Sequence, residues 1–216
     1  KRTFFSVRYK KRELFNKVIR DSMLSHLFFT REGGIVLKII VIGGGPAGYV
    51  GAIRAAQLGQ EVILIEKYKV GGTCLNVGCI PTKAYFHDSN VYREALEGIS
   101  EGCFIGEMKP NFSKIVERKD KIVKELVEGT EALLKANGVT RVQGTASFVN
   151  QNTVSVLKED GTKEEFTADG IFIATGSQVS IPPIEGANAE GILTSNEILS
   201  VKELPKSMIV IGGGVI

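Results

Sequence analysis

The sequence predicts an α/β fold built on a parallel sheet, and three observations carry that prediction. A β-branched run, residues 35–42 (Ile-Val-Leu-Lys-Ile-Ile-Val-Ile), leads directly into Gly43-Gly44-Gly45-Pro46-Ala47-Gly48. A helical stretch follows with small residues on one face (Ala52, Ala55, Ala56), stops at Leu58-Gly59, and gives way to a second apolar strand, residues 61–65, that ends at Glu66. Farther along, one long amphipathic helix is succeeded by several short strands, the pattern of a small antiparallel meander attached to the parallel sheet.

Composition sets the outer bounds. The 216 residues, 43% apolar and 24% charged, are enough to bury a real core. No apolar run is long enough to span a bilayer, so no membrane partner is expected. Three cysteines fit a reducing compartment better than a secreted disulfide scaffold, and a cytoplasmic location is expected. The net charge of +3 is uneven: residues 1–35 carry +6 and the remainder −3, so the body gives no sign of a nucleic-acid partner.

That basic leader has no Met start and no secretory apolar core. It admits three readings: a transit peptide, a basic arm, or sequence lying upstream of the true start. The last is favoured, because Glu32-Gly33-Gly34 is what a purine-rich ribosome-binding site would encode in frame just ahead of Val36 or Leu37. The expected organisation is therefore a leader over 1–35, a ligand-binding domain over 36–206 and the opening of a further unit over 207–216.

The strand, glycine turn, helix and second strand make a βαβ unit of Rossmann type, and this whole context, rather than the glycines alone, predicts dinucleotide binding. Gly43 permits the tight turn, Gly45 lets a pyrophosphate reach the backbone, and Gly48 allows helix and strand to pack closely. The helix start at Pro46 and Ala47 offers N–H donors and partial positive charge to phosphates. Glu66, followed by Lys67, stands where an acid would bond the ribose hydroxyls. These residues do not separate FAD from NAD.

Directly after comes Gly71-Gly72-Thr73-Cys74-Leu75-Asn76-Val77-Gly78-Cys79-Ile80-Pro81-Thr82-Lys83. In a regular helix, residues five apart have Cα atoms about 8.6 Å from each other, beyond the roughly 4.4–6.8 Å that a disulfide spans. Cys74 and Cys79 can bond only where the backbone is distorted, which Gly78 and Pro81 permit. A strained, local pair of this kind is readily reduced. A metal site would need more ligands at closer spacing, and none is expected. A helix from Thr73 and Cys74 should run through Ala84 and His87 to Gly98.

Residues 99–110 read as a loop, with Cys103 as a small buried hydrophobe. Asn111 or Ser113 can cap a long helix that stops at Asn137-Gly138, its charged face solvated and without partners. Short strands are expected at Thr140–Gln143, 146–149, Thr153–Leu157 and Lys163–Thr167, joined by turns at 150–152 and 160–161. Gly170-Ile171-Phe172-Ile173 should be a buried strand that exits through Ala174-Thr175-Gly176-Ser177, small residues that let backbone lie against a ligand. Met208-Ile209-Val210-Ile211 then enters Gly212-Gly213-Gly214, a copy of the first strand and turn.

The cysteine segment resembles the active-site signature of the class I pyridine nucleotide-disulfide oxidoreductases, flavoenzymes that work through a redox-active cysteine pair. Leu75 and Ile80 are more similar to the dihydrolipoamide dehydrogenase branch than to glutathione or mercuric reductases, and Thr82 stands where serine is usual. The resemblance covers 37–216 and implies a homodimeric oxidoreductase that oxidises dihydrolipoyl groups and reduces NAD. It implies that Cys74 is the interchange thiol, that Cys79 lies against the flavin as the charge-transfer thiolate, and that Lys83 places positive charge nearby. FAD would be held by the glycine turn from Gly43 to Gly48, by Glu66 and Lys67, and by Gly72, Thr73 and the two cysteines with Lys83. Backbone at Ala146 would meet its adenine, and Ala174, Thr175 and Gly176 would lie beside its ring. The stretch 207–216 would open an NAD domain whose site these residues do not complete. The implied partner is a lipoyl carrier protein of a 2-oxoacid dehydrogenase or glycine cleavage complex. The intact gene product is expected to be the enzyme, and these 216 residues alone to be inactive; the rival readings are a glutathione or mercuric reductase, or a noncatalytic FAD-binding fragment.

Overall fold

The computed structural model describes residues 36–214 and 216, so the leader read at 1–35 lies outside the described residues. In chain order the elements are β1 (Lys38–Ile42), α1 (Pro46–Gln57), β2 (Glu61–Glu66), α2 (Gly72–Val77), α3 (Cys79–Ser100), α4 (Phe112–Ala136), β3 (Thr140–Gln143), β4 (Thr145–Phe148), β5 (Thr153–Leu157), β6 (Lys163–Thr167) and β7 (Gly170–Ile173), with a 3₁₀ turn at Ile198–Ser200. β1 starts at Lys38 rather than at 35, in register with Glu61.

Four strands form a parallel sheet in the order β3-β2-β1-β7, and β4-β5-β6 form an antiparallel sheet. The expected meander thus gives up its first strand: Thr140–Gln143 pairs in parallel with Ile63–Glu66 at the sheet edge. Ile63 and Ile65 on β2 are buried in the cluster beneath the meander, and a strand at their flank extends that buried surface with Val142.

The two faces of the sheet are divided by strand parity. Ile40, Ile63 and Ile65 meet Val154 and Val156 of the small sheet and Ala168 just past its last strand, with Ile42, Val142 and Phe166 packed around them. Ile39, Val41, Val62 and Leu64, one residue out of phase, serve the opposite face, where α1 packs on β1 and β2 and α4 packs on α1. All four are buried, each contributing about 1.5–3 kcal/mol relative to exposure. Ala52 and Ala55 are buried in α1, where small side chains let that helix lie close to the strands.

α4 begins as the sequence indicates: Asn111 Oδ1 accepts the Lys114 N–H at 3.2 Å. It ends before Gly138, which has φ +76°. Most of its charges are solvated, as in the exposed pairs Lys121–Glu125 and Lys124–Glu128. Lys119 departs from the expectation, being 5% exposed and partnered.

Three further expectations are corrected. β7 is only half-buried, with Phe172 and Ile173 exposed, because β1 is its one strand neighbour in the order β3-β2-β1-β7. Cys103 is exposed, in the turn just past the end of α3. Residues 208–211 form no strand and Ile209 is 90% exposed. A strand needs a neighbour to take its N–H and C=O groups, and among the described residues none is laid beside this run.

Candidate functional site

In a parallel sheet all strands present their carboxyl ends on one side. Here that side gathers the Gly43 turn after β1, Glu66 at the end of β2, Gly144 after β3 and Ala174 after β7. The pieces are joined by backbone hydrogen bonds: Gly43 N–H to Ile65 O at 2.8 Å, Ala174 N–H to Ile42 O at 2.8 Å and Gly144 N–H to Glu66 O at 3.1 Å. Ala146, two residues on, sits in β4 opposite Val156 and is half-buried.

The glycines of the turn are required by crowding. Gly43 has φ +104°, and a Cβ there would lie 2.3 Å from the Ala174 carbonyl oxygen. A Cβ on Gly48 would lie 1.7 Å from the Gly43 carbonyl oxygen. Helix α1, strand β7 and the turn are therefore in backbone contact. The first turn of α1 has no side-chain cap, and Pro46 and Ala47 are exposed. An uncapped helix start leaves backbone N–H groups without intrahelical partners, an arrangement suited to a phosphate.

Glu66, expected to reach a ribose, has its carboxylate on the protein's own backbone. Oε2 accepts the Gly44 N–H at 2.6 Å and Oε1 accepts the Tyr68 N–H at 2.8 Å, with the residue 9% exposed. A carboxylate has about four acceptor positions, so the group can brace the turn and still accept from a hydroxyl. Glu66→Ala is expected to cost about 2–4 kcal/mol by orphaning two charge-assisted bonds, read as a lower urea midpoint without added ligand. Lys67 lies 4.8 Å over the Tyr68 ring, and Arg141 donates to Tyr68 O at 2.9 Å, so the segment beyond Glu66 is held from both sides.

The cysteine segment is tied to this turn. Gly71 N–H donates to Gly44 O at 2.7 Å, and Gly72 and Gly45 approach so closely that a Cβ on Gly72 would lie 2.7 Å from Gly45 Cα. The single helix expected from 73 to 98 is divided: α2 ends at Val77 and α3 begins at Cys79, with Gly78 at φ −146°, ψ −117° between them. A Cβ on Gly78 would lie 2.8 Å from Thr73 O. The break folds one cysteine toward the other, as the disulfide geometry demanded. Asn76 Nδ2, which sequence reasoning passed over, donates to Val70 O at 3.1 Å and Gly72 O at 3.0 Å and fixes the start of α2.

Cys74 is half-buried and Cys79 exposed, both as free thiols. A hydrogen bond to the Cys79 side chain holds the Cys74 thiol above its ordinary range; burial and the Cys79 charge add to this, and Lys83 opposes it. Because the thiolate is the reactive form, alkylation of Cys74 by iodoacetamide is expected to lag that of a free cysteine peptide at neutral pH and to converge with it as pH rises. Peptide mass mapping of the reduced chain across pH 6–10 reads the two sites separately. Lys83 is exposed on α3, one turn beyond Cys79, and Thr73 is exposed beside Cys74. Thr175 and Gly176 are exposed after Ala174, whose backbone touches Gly43. Among the described residues no group of His, Cys, Asp and Glu is placed to hold a metal, and no helix is long and apolar enough to cross a membrane.

Fold and site together define a class: an α/β unit of Rossmann type with a pair of thiols anchored to its glycine turn. The family model for pyridine nucleotide-disulphide oxidoreductases matches residues 37–216, and the chain belongs to that family. It is 45% identical over 184 residues to a dihydrolipoyl dehydrogenase of Acholeplasma laidlawii, covering 83% of this chain and 53% of that protein. It is 43% identical over 203 residues to the mitochondrial dihydrolipoyl dehydrogenase of Dictyostelium discoideum, covering 93% and 41%. Among solved structures, the Cu(II) complex of the HOCl-induced flavoprotein disulfide reductase RclA from Escherichia coli aligns with TM-score 0.66 and 31% identity, over 80% of this chain and 36% of that one. The chain spans about half or less of the length of these relatives.

Proposed function

We propose that this chain is the FAD-binding and dithiol portion of a dihydrolipoyl dehydrogenase. The observation that carries the reading is the Gly71 N–H to Gly44 O bond, which seats the cysteine helices against the dinucleotide turn. The residues present fit FAD: a turn whose Gly43 and Gly48 leave no room for a Cβ, an uncapped and exposed helix start, and Glu66 beside it. Gly43, Gly45, Pro46, Ala47 and Gly48 would hold the pyrophosphate and Glu66 with Lys67 the ribose. Ala146 would lie at the adenine, and Gly72, Thr73, Ala174, Thr175 and Gly176 along the remainder. Residues 36–206 are then the FAD domain, and 207–216 open the NAD domain.

The chemistry of the chain's own residues follows from the pair. With the cysteines oxidised, a thiolate of the dihydrolipoyl group attacks Cys74 Sγ, the Cys74–Cys79 bond breaks, and its electron pair stays on Cys79 as thiolate. The second lipoyl thiol, losing its proton to a base, attacks the mixed disulfide. It departs as the cyclic disulfide and leaves Cys74 reduced. Lys83, one turn along α3, places a positive charge beside the pair and favours the Cys74 thiolate. Bound FAD supplies the two-electron acceptor that returns the pair to its disulfide and hands the electrons to NAD. The base is assigned to the partner subunit of a homodimer. The lipoyl carrier of a cytoplasmic 2-oxoacid dehydrogenase or glycine cleavage complex is the corresponding substrate protein.

Two measurements test the reading. The purified chain should retain FAD through gel filtration, and a folded chain that stays colourless with excess FAD overturns flavin binding. A version extended to the length of its relatives should oxidise dihydrolipoamide far faster than it turns over glutathione disulfide or mercuric ion. The reverse order places it in another branch of the family.

A further inference from the structure

Residues 177–214 run over the surface with almost no regular structure, yet one point of this segment is fastened. Thr194-Ser195-Asn196-Glu197 forms a capping box: the Glu197 carboxylate accepts from the Thr194 N–H at 2.8 Å and from its hydroxyl. The Thr194 hydroxyl holds the Glu197 carboxyl below the usual carboxylate range. The box leads into the 3₁₀ turn at Ile198–Ser200 and presents the Leu199 carbonyl toward α3 and α4. Lys119 Nζ, from the middle of α4, donates to that oxygen at 3.0 Å, and the Tyr85 hydroxyl, from α3, donates to it at 3.3 Å.

The surroundings show a built contact. A lysine is seldom buried unless its ammonium is satisfied. Lys119 also pairs with Asp120 at 2.5 Å, on the solvent side, and lies 5.5 Å from the centroid of the Tyr85 ring. That ring stacks on Phe112 at 6.2 Å. Two donors from two helices on one carbonyl, one of them a desolvated cation, exceed what packing of an exposed loop requires. Among the described residues, these are the side-chain hydrogen bonds that join 177–214 to the domain.

We propose that Tyr85 and Lys119 are a latch that fixes the segment leaving the domain to α3, the helix that opens with Cys79. Tyr85 is six residues from Cys79 and two from Lys83 on that helix, so the latch sets the position of the outgoing chain relative to the dithiol. It holds with or without FAD and is independent of the substrate assigned above.

Hydrogen–deuterium exchange on the full chain tests this. Lys119→Met keeps the stem and removes the donor and its charge without leaving a buried ion behind, because Asp120 is exposed. Amides of 194–201 should exchange at least about tenfold faster in this variant, while those in the middle of α4 keep their protection. Tyr85→Phe, which removes one hydroxyl, should give a smaller increase confined to the same peptide, and Lys119→Arg should restore most of the protection. If 194–201 exchanges as fast in the parent chain as in Lys119→Met, or if both variants leave it unchanged, there is no latch. If Lys119→Met deprotects α4 as a whole while Tyr85→Phe has no effect, Lys119 serves helix packing and the proposal is likewise overturned.

Discussion

Gly48→Ala is expected to destabilise the domain by roughly 3–5 kcal/mol and to abolish retention of FAD. The added methyl would sit 1.7 Å from the Gly43 carbonyl oxygen, a backbone atom that cannot turn aside. Relief by moving α1 outward opens the contacts of Ala52 and Ala55 with the sheet. Relief by moving Gly43 presses that residue toward Ala174 and pulls it from Ile65 O, where its N–H is bonded at 2.8 Å. Urea unfolding measures the first effect, and flavin fluorescence after gel filtration the second. Gly129→Ala, in α4, is the control: a Cβ there meets nothing within 4 Å, and the substitution should be neutral or stabilising. Equal stability of Gly48→Ala and the parent would mean that helix and turn are not in contact as described.

Cys79→Ser is expected to lower turnover of the extended enzyme with dihydrolipoamide by at least about a thousandfold. The effect on the chain itself is equally specific. Oxidised lipoamide added to the reduced parent should be attacked by one cysteine, and the resulting mixed disulfide resolved by the other, so that one dihydrolipoamide is released per Cys74–Cys79 bond formed. In Cys79→Ser the second step has no sulfur and the adduct's free lipoyl thiol can only reclose the ring, so iodoacetamide added during the incubation should trap a carbamidomethylated lipoyl adduct on Cys74, visible by intact mass. Cys74→Ser should leave at most an adduct on Cys79, and Cys103→Ser should change neither step. Absence of the trapped lipoyl adduct from Cys79→Ser, where the same incubation of the parent releases dihydrolipoamide, would show that Cys74 does not engage the substrate disulfide.

Much of the site could be read from the residues because its parts are local. Gly43, Gly45 and Gly48 announce a turn by spacing alone, and Glu66 closes the next strand. The need for a break between Cys74 and Cys79 follows from helix geometry, so Gly78 was marked before any coordinate. The βαβ unit was readable for the same reason: each element carries its own periodicity and its own stop.

What failed to show was decided by partners distant in sequence. Thr140–Gln143 has the composition of a meander strand, and only the open edge of β2 draws it into the parallel sheet. The run at 208–211 has every local mark of a strand and is not one here, since a ladder requires a neighbour. Lys119 is one of many charges on α4 and becomes a buried anchor because the Leu199 carbonyl, 80 residues away, meets it. The signal for that contact was present as Thr194-Ser195-Asn196-Glu197, a capping box with no helix pattern to explain it.

By itself the sequence determined the family, the glycine turn and the break between the two cysteines, all of them properties of short segments whose backbone limits are fixed by glycine, proline and β-branching. The tertiary structure alone decided where Glu66 spends its carboxylate, how the two cysteines are brought together, and how the outgoing chain is held to α3. These depend on the distance between groups far apart along the chain, and hydrogen-bond and charge energies fall off too steeply with distance for order along the chain to stand in for position in space.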